Sequence, residues 1–180
     1  MRFEKVNVVT RPPALILETM IERMEQIVPF LPSVESIETL ETTRHDDGRV
    51  HILRKWQGTA ESAPKAVRPF LSKEALAWLD DAWWTADEHK VDWNLSTSLS
   101  KLYTCGGTNY FEPSPDDPDG ATIMRITGDL EVFPDKMPGI PKFLGRKLAP
   151  QVEKFVVKLL TPNLTDLAKG LQGYFDSLEK

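Results

Sequence analysis

The segment from Pro141 to Lys180 constrains the fold more than any other part of the sequence. Its apolar residues recur at steps of three and four, which places them on one face of a helix, and charged residues fall mostly between them. Pro150 and Pro162 interrupt the pattern, and each predicts a kink or a new helix start. We therefore expect a long, jointed helix whose apolar face must be buried. That face consists of Leu148, Val152, Phe155, Val156, Leu159, Leu160, Leu164, Leu167, Leu171, Tyr174, Phe175 and Leu178.

The chain before this helix is rich in strand patterns. Residues 2–10 alternate as a strand does, and a helical stripe over residues 12–28 follows, ending near Pro29. Later strand-like stretches are residues 34–44, 49–58, 78–88, 90–98, 101–112 and 121–132. Asp47-Gly48 predicts a hairpin, and residues 113–120 predict a surface loop. The order predicts an α+β fold, in which a curved antiparallel sheet of about seven strands grips the C-terminal helix and a helix or helix pair follows the first strand.

Length and composition limit the class of protein. A chain of 180 residues without a linker or repeat predicts one domain, residues 1–180. A net charge of -5 argues against nucleic acid as a partner. The single cysteine, Cys105, excludes an internal disulfide, and the charged N-terminus does not resemble a secretory signal. No apolar run approaches the roughly 20 residues that span a bilayer, so we expect a cytoplasmic protein.

The order of elements resembles that of the START-like superfamily, also called helix-grip or SRPBCC. The stretch DKMPGIPKFLGRKLAPQVEKF resembles the junction between the last loop and the helix in bacterial members of unknown function, with Glu153 as the helix glutamate. More distantly, the chain resembles PRELI-like phospholipid transfer proteins and polyketide aromatase/cyclases. The resemblance implies a cavity between the sheet and the long helix that takes a lipid, a sterol, a hydrophobic hormone or a polyketide. No family catalytic residue can be aligned with this chain.

The expected ligand-binding residues combine strand faces with the helix stripe. They are Ile52, Arg54, Trp56, Trp93, Leu95, Met124, Ile126, Val152, Phe155, Val156 and Leu159. Residues 138–140 combine proline, glycine and isoleucine at the helix entrance, which suggests a gate. The five tryptophans of the chain suit an aromatic pocket, although simple core packing is the better explanation of them. Trp83 and Trp84 are adjacent, so on a strand they face opposite sides.

Arg54 is the first polar candidate, because it shares an otherwise apolar strand face with Val50, Ile52 and Trp56. A charge in that position must be paired or must line a wet cavity. One interpretation is an anchor for a carboxylate or phosphate headgroup. The other is pairing with a structural acid such as Asp129 or Glu131.

Other chemistry has little support in the sequence. The three histidines and Cys105 lack metal-ligand spacing, and no cofactor motif occurs, so we expect neither a metal nor a cofactor. Tyr103, Tyr110 and Asp129 are candidates for acid–base work in a cavity. Basic residues near the last helix suggest either weak contact with an anionic membrane or an ordinary solvated face. These residues are Lys136, Lys142, Arg146, Lys147, Lys154 and Lys158.

Three functions remain open at this point. The first is a non-catalytic binder or carrier of a hydrophobic small molecule or lipid. The second is an aromatase/cyclase-type enzyme, which needs polar groups that converge in the cavity and a perturbed pKa. The third is a protein-interaction domain whose cavity is filled. The sequence does not fix the oligomeric state or the ligand.

Overall fold

The computed structural model describes residues 1–60, 65, 68–70, 72–97, 103–133, 136, 144, 146–151, 153–154, 156–157 and 166–179. Its strands are β1 (Arg2–Val9), β2 (Val34–Arg44), β3 (Val50–Gly58), β4 (Ala77–Thr85), β5 (Lys90–Ser96), β6 (Tyr103–Ser114) and β7 (Asp117–Val132). They form one sheet in the order β1-β7-β6-β5-β4-β3-β2, and every neighbouring pair is antiparallel. The predicted seven-stranded antiparallel sheet is therefore confirmed.

A pair of helical segments follows β1. The helix α1 spans Pro13–Glu22, and a 3-10 helix spans Met24–Phe30. The helical region ends next to Pro29, as expected, and the break between its two segments lies at Arg23, with φ −134° and ψ 20°. Arg54 explains the position, because it bonds the carbonyl oxygens of Met20 and Ile21 that a continuing α-helix would offer to residues 24 and 25. No helix in the described ranges is long and apolar enough to cross a membrane.

The C-terminal helix α2 spans Leu167–Leu178 and packs against the 3-10 helix. Gly170 permits the close approach, because a Cβ atom there would lie 2.6 Å from Cδ2 of Leu31. The Tyr174 hydroxyl donates a hydrogen bond of 2.9 Å to Oε1 of Gln26 and fixes the helix in place. The apolar stripe predicted for this part of the chain is confirmed at four buried positions: Leu167, Leu171, Tyr174 and Phe175.

Strands β6 and β7 approach each other closely at a glycine pair. Gly107 lies opposite Gly128. A Cβ atom on Gly107 would stand 2.0 Å from the carbonyl oxygen of Thr127, so no other residue fits without moving the backbone. The glycine pair therefore permits a close approach of the two backbones.

The expected surface loop at residues 113–120 is instead the tip of a hairpin. Strand β6 continues to Ser114 and β7 begins at Asp117, with a shift of register between Pro113 and Ser114. The tip is exposed, so a proline such as Pro118 leaves no buried hydrogen-bond partner unsatisfied. The predicted turn at Asp47-Gly48 is confirmed, and Gly48 takes the left-handed conformation with φ 83°.

Candidate ligand cavity on the inner face of the sheet

One face of the sheet, here called the inner face, is covered by α1, the 3-10 helix and α2. Strand β3 turns Val50, Ile52, Arg54 and Trp56 toward it, as the alternation predicted. Strand β4 turns Trp78, Asp80, Ala82 and Trp84 toward the same side. Strand β5 adds Val91 and Trp93. Four of the chain's five tryptophans therefore meet on one face, each at most 5% exposed.

A cavity lies between this face and the helices. Its volume is about 50 Å³, which corresponds to a few waters. Its described walls are Met20, Met24, Trp56, Trp78, Asp80, Ala82, Trp84, Val91, Trp93, Leu95, Asn109 and Leu167. These walls are aromatic and aliphatic, apart from one carboxyl and one amide.

Asp80 is the charged side chain among those described walls. It stands in the middle of the inner face, opposite Arg54 on β3 and Leu95 on β5. Burial raises the pKa of Asp80 to about 6, whereas the nearby charge of Arg54 acts in the opposite direction. The carboxyl therefore changes protonation close to neutral pH.

Arg54 does not neutralise Asp80 by direct contact. Its Nη2 atom donates to the carbonyl oxygens of Met20 at 2.9 Å and Ile21 at 2.7 Å, and its Nε atom donates to Oγ1 of Thr39 at 3.3 Å. It is 2% exposed and is absent from the described cavity walls. Burial lowers the pKa of Arg54, and the charge of Asp80 opposes that effect. The guanidinium thus compensates the partial negative charge at the C-terminal end of α1.

Several buried hydrogen-bond donors around the cavity have no partner among the described residues. They are Nη1 of Arg54, Nε1 of Trp56 and Nε1 of Trp84. The Trp56 indole makes no hydrogen bond of normal geometry, although it lies near enough to Asp80 to favour the ionised carboxyl. Trp93 differs, because its Nε1 atom donates to Oδ1 of Asn109 at 2.8 Å. Each unpartnered donor costs about 1–3 kcal/mol, so the inner face is not packed for maximal stability.

The structure brings some of the predicted ligand-binding residues together. Trp56, Trp93 and Leu95 line the cavity. Other predicted residues are buried away from its described walls: Ile52, Arg54, Met124, Ile126 and Val156. Val152, Phe155 and Leu159 fall outside the described residues, as does the gate expected at residues 138–140. A ligand-binding role for the eleven residues stays a prediction.

The acid that faces Arg54 is neither of the two that the sequence suggested. Asp129 and Glu131 are exposed on β7, which is separated from β3 by three strands. The acid opposite Arg54 is Asp80, which sequence analysis missed. A signal for it exists in the stretch Trp78 to Trp84, because period-two spacing puts Asp80 on the face that both tryptophans mark.

The other polar candidates do not converge on the cavity. Tyr103 is buried, but Tyr110 is 37% exposed and Asp129 lies at the surface, so the three cannot form one acid–base site. The ring of His45 stacks on Trp83 with 5.1 Å between centroids. Within the described part of the chain, no cluster of three or more potential ligands for a metal ion occurs. The described basic residues near the last helix are exposed: Lys136, Arg146, Lys147 and Lys154.

Comparison with known proteins identifies the fold. The sequence matches no model of a protein family, and no curated protein resembles it in sequence. TTHA0849 from Thermus thermophilus has a similar structure, with a TM-score of 0.64, 19% identity and 100% of both chains covered. The Zhui aromatase/cyclase from Streptomyces sp. R1128 gives a TM-score of 0.58 at 13% identity, covering 96% of this chain and 94% of the other. XoxI from Bacillus cereus gives 0.50 at 12% identity, covering 99% and 98%. At these identities the likeness is one of fold alone, and the chain has the helix-grip fold.

Proposed function

We propose that the protein binds a small, mainly apolar molecule in the cavity between the inner face of the sheet and its helices, without transforming it. The observation that carries the proposal is the wall of four tryptophans around an incompletely filled space. Ligand sites in proteins are typically concave and apolar, with a few polar groups that orient the ligand. Asp80 and Asn109 are such groups here.

Burial of the ligand supplies the affinity. Removing about 200 Å² of apolar ligand surface from water contributes roughly 5 kcal/mol. The unpartnered indole N–H groups of Trp56 and Trp84 supply further, directional interactions for a ligand that carries an acceptor atom. The filled-cavity alternative has less support, because dense packing would leave neither the empty space nor these donors.

Native mass spectrometry of the purified protein, followed by solvent extraction, tests for a retained molecule. A calorimetric titration with 1-naphthalenemethanol then tests whether a ligand binds in this cavity. Ala82 is 2% exposed and lines the cavity, so we expect Ala82→Leu to weaken binding at least tenfold. Ala86→Leu, an identical change at an exposed position, is the matched control. Equal affinity in the two variants would contradict binding in this cavity.

A second function, acid–base catalysis on the bound molecule, is favoured by one observation. Asp80 is a desolvated carboxyl in an apolar cavity, with a pKa raised to about 6, as general acids and bases often have. An aromatic poly-β-ketone thioester is a suitable trial substrate, with products analysed by mass spectrometry. Turnover that rises with pH around 6 and disappears in Asp80→Asn would support a general base. Equal turnover in Asp80→Asn would exclude that role.

A further inference from the structure

The inner-face cavity has the composition of a site for a positively charged ligand. Four indole groups line it, and Asp80 is the charged group among its described walls. The face of an indole ring attracts cations through its electric quadrupole. A carboxylate beside such rings adds direct Coulombic attraction, which is strong where water is excluded.

The four tryptophans line the cavity, and each also packs on one aromatic neighbour. Trp56 and Trp78 stack on each other with 5.8 Å between centroids. Trp84 stacks on Phe111 at 6.3 Å, and Trp93 stacks on Phe3 at 6.5 Å. The neighbours hold the rings rigid, so little side-chain entropy is lost when a ligand binds.

The orientation of Arg54 argues against an anionic ligand. Its guanidinium is turned toward α1 and Thr39, and the residue is 2% exposed and absent from the described cavity walls. An anion that entered the cavity would meet the carboxylate of Asp80 first. The arginine expected to anchor a headgroup is therefore engaged in holding the helix.

A neutral ligand binds less favourably than a cation for a different reason. Asp80 is partly buried, and it forms no contact ion pair with Arg54 among the described side chains. A neutral molecule that filled the cavity would bury the carboxylate further without supplying an opposite charge, which is costly. A cation supplies that charge.

We propose that the cavity recognises a compact organic cation, a protonated amine or quaternary ammonium group, held against Asp80 by the indoles of Trp56, Trp78, Trp84 and Trp93. This inference rests on the proposed binding function and names the class of ligand. Trp56 and Trp78 on neighbouring strands flank the carboxyl, and Ala82 leaves room beside it.

Among the described residues, few charged groups surround Asp80, which makes the site testable. Arg54 faces it from β3, and Asp81 adjoins it on β4. The other described elements contribute uncharged neighbours: Leu95 from β5, Met20 from α1, Met24 from the 3-10 helix and Leu167 from α2.

Choline and 3,3-dimethylbutan-1-ol form a suitable pair of probes, because they differ only in a charged nitrogen that replaces a carbon. NMR titration at pH 7.5 measures both affinities, even in the millimolar range. We expect choline to bind at least tenfold more tightly than the alcohol. Its affinity should decrease below about pH 6, where Asp80 takes up a proton.

Two matched variants assign the effect to one carboxyl. Asp80→Asn should weaken choline binding at least tenfold and should not weaken binding of the alcohol. Asp81→Asn removes the same charge from the adjacent residue, which hydrogen-bonds His51 on the other face, and should leave both affinities unchanged. The probe comparison on the wild-type protein stands even if Asp80→Asn fails to fold.

The remaining outcomes overturn the cation proposal. Alcohol binding as tight as choline binding at pH 7.5 would mean that the carboxylate of Asp80 does not select a cation. That result leaves the proposed binding function intact, since the alcohol then occupies the cavity. Failure of both probes to bind would also overturn the proposal, and the Ala82→Leu experiment would then decide the binding function separately.

Discussion

The two faces of strand β4 carry the same types of residue in opposite circumstances. Asp80 and Trp84 point to the inner face, whereas Asp81 and Trp83 point to the outer face. On the outer face, Nε2 of His51 lies 2.8 Å from Oδ1 of Asp81, whose side chain is 50% exposed. On the inner face, the carboxyl has no contact ion pair among the described side chains, and its pKa is raised to about 6.

The contrast shows that environment, and not residue type, makes the candidate site. Trp83 is in contact with His45, His51 and Arg49, which are partly exposed or exposed, although Nε2 of His45 is buried without a partner among the described residues. Trp84 packs on Phe111, and its N–H group has no partner among the described residues. The outer cluster reaches the surface, whereas the inner cluster holds a buried carboxyl that has no contact ion pair among the described side chains. Four predictions test this difference.

The largest expected difference between the faces concerns thiol reactivity. Cys105 lies on the inner side of β6, is 4% exposed, and burial raises its pKa to about 12. The adjacent Thr104 is exposed on the outer side. Because the thiolate is the reactive form, Cys105 should react with iodoacetamide at pH 8 roughly a thousandfold more slowly than a cysteine at position 104.

The double variant Thr104→Cys, Cys105→Ala supplies the outer cysteine in an otherwise identical chain. Mass spectrometry of the alkylated protein gives both rates, and alkylation in urea shows the intrinsic rate of each thiol. Similar native rates would mean that the inner face opens often enough to expose Cys105.

The second prediction concerns the two arginines. Arg54→Met leaves the carbonyl oxygens of Met20 and Ile21 without their donor and removes the cation nearest Asp80. We expect the free energy of unfolding to fall by about 3 kcal/mol or more. Arg49→Met, on the outer face, should cost less than about 1 kcal/mol, because its ion pair with Asp47 is half-exposed. Urea unfolding at pH 7 measures both, and equal losses would contradict a special role for Arg54.

The third prediction concerns stability as a function of pH. The pKa of Asp80 is about 6 in the folded protein, against about 3.9 in an unfolded chain. Between about pH 4 and 6 the folded state holds a proton that the unfolded state has released, so this group lowers the free energy of unfolding as pH rises. We expect the free energy of unfolding to fall by about 2 kcal/mol between pH 4 and 7, and we expect this fall to be absent in Asp80→Asn.

Urea unfolding from pH 4 to 7.5 gives the free energies of unfolding of Asp80→Asn and of the wild-type protein at each pH. The difference between the two free energies should change by about 2 kcal/mol over this range, in favour of the variant. Asp81→Asn is the control for the loss of one negative charge. A difference that does not vary with pH would show that Asp80 is ordinarily solvated.

The sequence predicted the sheet well because inward-facing and outward-facing residues alternate along each strand. The alternation on β3 placed Arg54 on the inner face, and that placement is confirmed. Its partners were not predictable, because Met20 and Ile21 are 34 and 33 residues away and offer backbone atoms that carry no sequence signal. The same bonds end α1 at Arg23, although the helical stripe continues through Ile27.

The candidate site was less accessible to sequence reasoning than the fold. Asp80 and Asp81 are identical residues side by side, and only the face of the strand distinguishes them. Trp78 and Trp84 mark the inner face, so Asp80 was recoverable, but its isolation from Arg54 depends on the helix above it. The cavity depends on how closely the helices pack, which residue periodicity does not specify.

The smallest expected effect belongs to the outer pair of His51 and Asp81. Their atoms are only 2.8 Å apart, closer than the inner charges, yet water surrounds the carboxylate. A double-mutant cycle with His51→Gln and Asp81→Asn should give a coupling of about 0.5 kcal/mol that decreases in 1 M salt. A coupling above about 2 kcal/mol that salt does not change would break the comparison, because the outer face would then be as desolvated as the inner one. A small, salt-sensitive value would mean that short distance alone does not make a strong interaction, and that exclusion of water from the inner face gives Asp80 its distinct chemistry.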